Sequence, residues 1–138
     1  MPKIPDSRLV RAAIDARRHA CAPYSGFRVG AALLTDNGKI ITGANVESAS
    51  YGLTCCAERI ALFRALTSGE KKFRALAVAA RLPGGPMPCG ACRQLLSEYA
   101  ARATVLVCDT ARPRQVKIFS VRELLPGAFL TVPGKSRR

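Results

Sequence analysis

Apolar residues recur at helical spacing near the start of the chain. Leu9, Ala13, Ala16 and Ala20 share one side, and Arg8, Arg11, Asp15 and Arg18 the other. This predicts a first amphipathic helix over Ser7–Ala20, with Ser7 in the capping position. Pro23 and Gly26 mark a turn, after which the period changes. Phe27–Thr35 and Lys39–Val46 read as paired strands, joined by the hairpin signal Asp36-Asn37-Gly38. Gly30 and Gly43 lie inside these strands, which implies close backbone approach or a bulge. Cys55–Leu66 is apolar almost all round and reads as a buried helix. Ala75–Ala80 is a continuous apolar run, as expected of a central strand covered on both faces. The loop Pro83-Gly84-Gly85-Pro86-Met87-Pro88 leads into another helix, with Cys92, Leu95, Leu96 and Tyr99 on its buried side. Ala103–Cys108 and Val116–Phe119 read as further strands, and Val121–Leu125 as a short last helix. The alternation implies an α/β fold, a three-layer α/β/α arrangement around a five-stranded mixed sheet. No repeat, low-complexity segment or linker interrupts it, so residues 1–138 read as one domain. Gly134–Arg138 is short and basic, and is expected to be a mobile tail.

Composition narrows the class. Hydrophobic residues make up 49% of the 138, enough for one core and too many for a disordered tail. No apolar run approaches the roughly 20 residues of a membrane helix. Met1-Pro2-Lys3-Ile4-Pro5-Asp6 has no signal-peptide core, so a cytoplasmic protein is expected. The chain carries 22 Lys and Arg against 9 Asp and Glu, a net charge of +13. These charges are scattered and aromatics are few. That favours a generally basic surface over a dedicated nucleic-acid groove. His19, the only histidine, reads as an ordinary helix-end residue.

Six cysteines without an export signal point to thiols or metal ligands rather than disulfides. Cys89 and Cys92 are one helical turn apart, so their sulfurs point the same way. Cys56 supplies a third sulfur from a separate segment. Zinc takes thiolates readily, and three protein ligands leave a fourth position for a water whose acidity the metal raises. Glu58 is placed to move protons rather than to bind metal. Glu58 and Arg59 are charges on a buried helix, which cost several kcal/mol unless compensated. Three thiolates with one Zn²⁺ leave one negative charge that Arg59 can offset by donating to sulfur. Cys21, Cys55 and Cys108 read as small buried apolar residues. Three cysteines, a non-ligand Glu and a Pro-Cys-x-x-Cys run together match the zinc deaminases.

From about Tyr24 to Phe129 the sequence resembles the small, homotetrameric cytidine deaminases. The resemblance rests on Pro23-Tyr24-Ser25-Gly26-Phe27-Arg28-Val29-Gly30-Ala31-Ala32, Gly43-Ala44-Asn45-Val46-Glu47, Ala49-Ser50-Tyr51-Gly52-Leu53-Thr54 and Glu123-Leu124-Leu125-Pro126. It also rests on Cys56-Ala57-Glu58-Arg59 and Pro88-Cys89-Gly90-Ala91-Cys92-Arg93-Gln94. It implies one Zn²⁺ per subunit on Cys56, Cys89 and Cys92, with Arg59 supporting the thiolates. It implies a nucleoside substrate, with Phe27 packing beside it, Asn45 and Glu47 holding the sugar, and backbone around Ala57 recognising the base. It further implies that Phe129 stacks on a base in a neighbouring subunit, giving composite sites. The expected reaction is hydrolytic deamination of cytidine or deoxycytidine, Glu58 taking a proton from water to ring N3 and then, in a separate step, protonating the departing amine.

Three positions depart from the family pattern: Ser48 where Asn is common, Met87 where Ser is common, and Cys55 beside Cys56. Two alternatives follow. One is a deaminase of a modified cytosine nucleoside or of single-stranded nucleic acid, against which the charge of Glu47 argues. The other is a nucleic-acid-binding protein whose structural zinc is closed by a fourth thiolate, Cys55 or Cys108.

Overall fold

The computed structural model describes residues 7–134. The expected mobile tail lies outside them, except for Gly134. The elements are α1 (Ser7–Ala16), β1 (Val29–Thr35), β2 (Ile40–Ala44), α2 (Ala57–Thr67), β3 (Phe73–Ala80), α3 (Gly90–Tyr99), β4 (Thr104–Asp109), β5 (Val116–Ser120) and α4 (Val121–Leu124). The strands form one sheet in the order β2-β1-β3-β4-β5. β3 and β4 run parallel, and every other pairing is antiparallel. The layered fold and mixed five-stranded sheet expected from the sequence are therefore what forms.

Strand alternation sorts the core. Ala31, Leu33, Leu76, Val78, Val105 and Val107 face α2 and α3. Their neighbours Ala32, Leu34, Ala77, Ala79, Leu106 and Cys108 face α1 on the other side. β3, in the middle, is buried on both faces, as its unbroken apolar run requires. α2 lies unusually close to β2 because small residues meet there. A Cβ on Gly43 would sit 2.5 Å from the Ala61 nitrogen and 2.6 Å from the Ala57 oxygen. Close approach, not a bulge, explains the glycine.

The first helix is shorter than its pattern. It ends at Ala16, and Arg17–His19 tighten into a 3₁₀ turn before Ala20 becomes extended. Arg17 Nε donates to the Arg28 carbonyl at 3.1 Å, which holds this turn against the chain entering β1. Two helical faces are also more open than expected. Phe63 on α2 is 42% exposed and Tyr99 on α3 is 49% exposed, so the spacing placed both inside wrongly. Each lies on the side of its helix away from the sheet. α4 starts with a reciprocal cap: Ser120 Oγ accepts from the Glu123 amide, and the Glu123 carboxylate accepts from the Ser120 amide. Among the described residues no helix is long and apolar enough to cross a membrane.

Candidate active site

Two helix starts bring the thiols together. Cys56 is the N-cap of α2 and Cys89 the N-cap of α3, with Cys92 in the first turn of α3. Cys55 and Val46 exchange backbone hydrogen bonds of 2.8 and 3.0 Å, which fixes the approach to Cys56. On the other side the loop after β3 crosses the end of β4. Gly85 makes this crossing possible: its φ is +82°, and a Cβ there would meet Val107 at 2.7 Å. Arg93 Nε donates to the Pro88 carbonyl at 2.7 Å, and its Nη1 to the Leu124 carbonyl at 3.0 Å. One guanidinium thus ties the loop before Cys89 to α4.

The sulfurs of Cys56, Cys89 and Cys92 all lie within 4.8 Å of one another. Cys56–Cys89 is 3.6 Å and Cys89–Cys92 is 3.5 Å. Zinc–thiolate bonds of about 2.3 Å in a tetrahedron require sulfurs about 3.8 Å apart. The cluster fits that ion without rearrangement, and three sulfurs leave one tetrahedral position for a further ligand.

Electrostatics around the cluster agree. Hydrogen bonding with Cys92 holds the Cys56 thiol down at about 5, against burial, and Arg59 and Cys89 also lower it. Cys92 is pushed the other way, by its bond to Cys56 and then by burial. The neighbouring thiols share protons that a divalent cation would displace. Arg59 Nη2 donates to Cys56 Sγ at 3.5 Å and to the Thr54 carbonyl at 3.4 Å. Its bond to Cys56 holds the guanidinium more firmly protonated than usual. Glu58, in the first turn of α2, is 5% exposed. Burial pushes its carboxyl up to about 7, although hydrogen bonding within its own residue and from Cys92 opposes this.

A fourth thiolate is not at hand. Among the described residues only Cys56, Cys89 and Cys92 form such a group. Cys108 is buried on the α1 side of the sheet, opposite α2 and α3. Cys55 is not one of the mutually close sulfurs, and burial first of all raises its pKa. The buried apolar reading suits Cys108 but not Cys21, which is exposed, or Cys55, which is half-buried. Cys21 is bridged to Val46, just past the end of β2. His19 is exposed, with Arg18 Nε 3.4 Å from its ring, and is not part of the three-sulfur group.

A second group forms where β2 ends. Asn45 is buried, and its amide straps the entry to β1: Oδ1 accepts from the Val29 amide at 2.9 Å, and Nδ2 donates to the Phe27 carbonyl at 2.8 Å. Glu47 Oε1 accepts from the Tyr24 and Ser25 amides at 3.0 and 3.1 Å, and Oε2 from the Ser25 hydroxyl. Hydrogen bonds from the Ser25 side chain, then its backbone, hold the Glu47 carboxyl below the usual range. A cleft of about 400 Å³ is lined by Tyr24, Ser25, Glu47, Ser48, Tyr51 and Thr54. Ser48 shapes its wall, its amide donating to Thr54 Oγ1 and its hydroxyl accepting from the Ser50 amide, each at 3.1 Å. Phe27 and Met87 are partly exposed, at 40% and 41%, and Phe129 is 63% exposed. Ala57 is fully buried at the start of α2.

Pattern reading assigned nothing to Ser25, Arg93 or Gln94. Gln94 Nε2 donates to the Phe129 carbonyl at 2.6 Å and to Glu98 at 3.1 Å, so the metal helix carries the C-terminal aromatic. The available signal was position: Gln94 follows Cys92 by two residues, and Ser25 precedes Phe27 by two.

Residues 3–108 match the family described as the cytidine and deoxycytidylate deaminase zinc-binding region. A cytidine deaminase from Halalkalibacterium halodurans is 48% identical over 121 residues, covering 88% of this chain and 91% of that protein. One from Mycobacterium tuberculosis is 40% identical over 129 residues, covering 94% and 92%. The crystal structure of cytidine deaminase from Burkholderia pseudomallei superposes with a TM-score of 0.86 at 46% identity, covering 91% of this chain and all of that one. A three-sulfur zinc cradle beside a buried carboxyl, in this fold and with these relatives, places the chain in the cytidine deaminase family.

Proposed function

We propose that the protein deaminates cytidine and deoxycytidine hydrolytically, giving uridine or deoxyuridine and ammonia. The observation that carries this reading is the buried Glu58 beside three mutually close sulfurs. Held by Cys56, Cys89 and Cys92, Zn²⁺ supplies the Lewis acidity that ionises a water near neutral pH. Glu58 accepts one proton of the attacking water and delivers it to ring N3. It then takes the second proton from the hydroxyl added at C4 and passes it to the departing amine as the C4–N bond breaks and the C4 carbonyl forms. Arg59 offsets the charge of the thiolates and holds Cys56 in place. Ala57 offers its backbone to the base, and Phe27 packs beside the nucleoside.

Glu47 accepts from a sugar hydroxyl. Asn45 keeps one amide hydrogen and one lone pair free for the same ligand. A carboxylate on the sugar side repels phosphates and favours a free nucleoside over a nucleotide or strand. Residues 1–138 act as one catalytic domain, and the free thiols suit a reducing cytoplasm. The exposed Tyr51, Leu53, Phe63 and Phe129 support a homotetramer in which Phe129 reaches a neighbouring site. Sedimentation at assay dilution tests this, and a fully active monomer refutes it.

Glu58→Gln is expected to keep one zinc per chain by metal analysis and to lose about 10²–10⁴ in turnover. The absorbance change on converting cytidine to uridine measures the loss. Turnover within about tenfold of the parent removes Glu58 from the proton path.

A further inference from the structure

We propose that Ser25 is the positioning residue for sugar recognition, joining the carboxylate of Glu47 to the backbone of Phe27. This rests on the reading of Glu47 as acceptor for a sugar hydroxyl. The Ser25 hydroxyl donates to Glu47 Oε2 and accepts from the Phe27 amide at 2.9 Å. One rotor therefore sets two groups at once, using its single proton and one of its two lone pairs. Two side-chain straps hold the segment before β1. Asn45 grips the carbonyl of Phe27 and the amide of Val29, and Glu47 grips the amides of Tyr24 and Ser25. The Ser25 hydroxyl is the link between the straps among the described residues.

The stoichiometry of acceptors gives this link a consequence. A carboxylate offers about four lone-pair sites. The two amides fill those of Oε1, and Ser25 fills one on Oε2. One acceptor site remains, on Oε2, and Glu47 lines the cleft with Ser48, Tyr51 and Thr54. Glu47 is thus held to accept a single hydroxyl in one orientation. Without the Ser25 hydroxyl the carboxylate is held through Oε1 alone, Oε2 loses its tether, and the Phe27 amide loses its acceptor. Sugar binding weakens while the zinc cradle, built from other segments, is untouched.

The test compares the parent with Ser25→Ala, Ser25→Thr and Glu47→Gln, each zinc-loaded, on cytidine and on 2′,3′-dideoxycytidine, which lacks the 2′- and 3′-hydroxyls and keeps the 5′-hydroxyl. Ser25→Ala is expected to raise KM for cytidine about tenfold with kcat within about twofold. Ser25→Thr, which keeps the hydroxyl, is expected to restore most of that KM. On 2′,3′-dideoxycytidine the loss in kcat/KM caused by Ser25→Ala is expected to be several-fold smaller than on cytidine, because the 2′- and 3′-hydroxyls from which Glu47 would accept are gone. Equal losses on both substrates, or an unchanged KM for cytidine, overturn the proposal. Glu47→Gln separates the two levels. If it leaves the preference for cytidine over dideoxycytidine intact, the sugar reading itself fails. If it removes that preference while Ser25→Ala does not alter it, only the role of Ser25 fails.

Discussion

Gly43→Ala tests whether the distance between α2 and β2 sets the metal site. The added Cβ would lie 2.5 Å from the Ala61 nitrogen and 2.6 Å from the Ala57 oxygen, about 0.9 Å short of ordinary contact at 3.4 Å. Both obstacles are backbone of one helix, so no rotamer change relieves them. Either α2 or β2 must shift, and Ala57 adjoins the metal-side residues Cys56 and Glu58. Overpacking of this kind costs about 1–3 kcal/mol, and the rigid obstacles put it near the upper end. The entropy recovered by replacing a strand glycine returns about 0.5–1 kcal/mol. A net loss of about 2 kcal/mol lowers Tm by roughly 5–10 °C for a chain of this size. Calorimetry on zinc-loaded protein reads this directly, with metal analysis alongside. Gly52→Ala serves as control, since nothing lies within 4 Å of its Cβ position. If Gly43→Ala keeps the parental Tm and the parental zinc affinity, the spacing argument is wrong.

Further outcomes follow from the site. Arg59→Ala removes the donor 3.5 Å from Cys56 Sγ and should weaken zinc about 10–100-fold in chelator competition; unchanged affinity would show the guanidinium to be idle. The Glu47 carboxyl is held below its ordinary value of 4.5, so it stays ionised in the folded protein until pH falls beneath that value. The contribution proposed for it in cytidine binding should therefore be lost as pH falls, with a midpoint below 4.5. A Glu47-dependent rise in KM, taken as the difference from Glu47→Gln, whose midpoint lies above 4.5 would contradict this.

The parts of the molecule that pattern reading located share a physical basis. β3 and β4 announce themselves because burial on both faces leaves no polar position in their central runs, 75–80 and 105–108. The metal thiols stood out by their spacing, and Glu58 because a charge on a buried helix is expensive without use. Phe63 and Tyr99 failed for the opposite reason: helical spacing says that a face is apolar, not what covers it. The end of α1 at Ala16 also escaped, because Arg17 is drawn aside by a carbonyl 11 residues later. Ser25 and Gln94 act on partners 22 and 35 residues away, through polar contacts that leave no periodic trace.

Cys56 and Cys89 begin their helices without a side-chain cap, although that position usually holds Ser, Thr, Asp or Asn. At both helix starts the N-cap side chain therefore leaves the first amides without the usual oxygen acceptor. Thiolate charge gathered by a metal is the counterpart they face, so the cofactor doubles as a keystone for two helices at once. Stripping it should speed amide exchange selectively at 57–59 and 90–92 while the sheet interior stays protected. Metal uptake would then be the event that locks these two helix starts, on a sheet already formed.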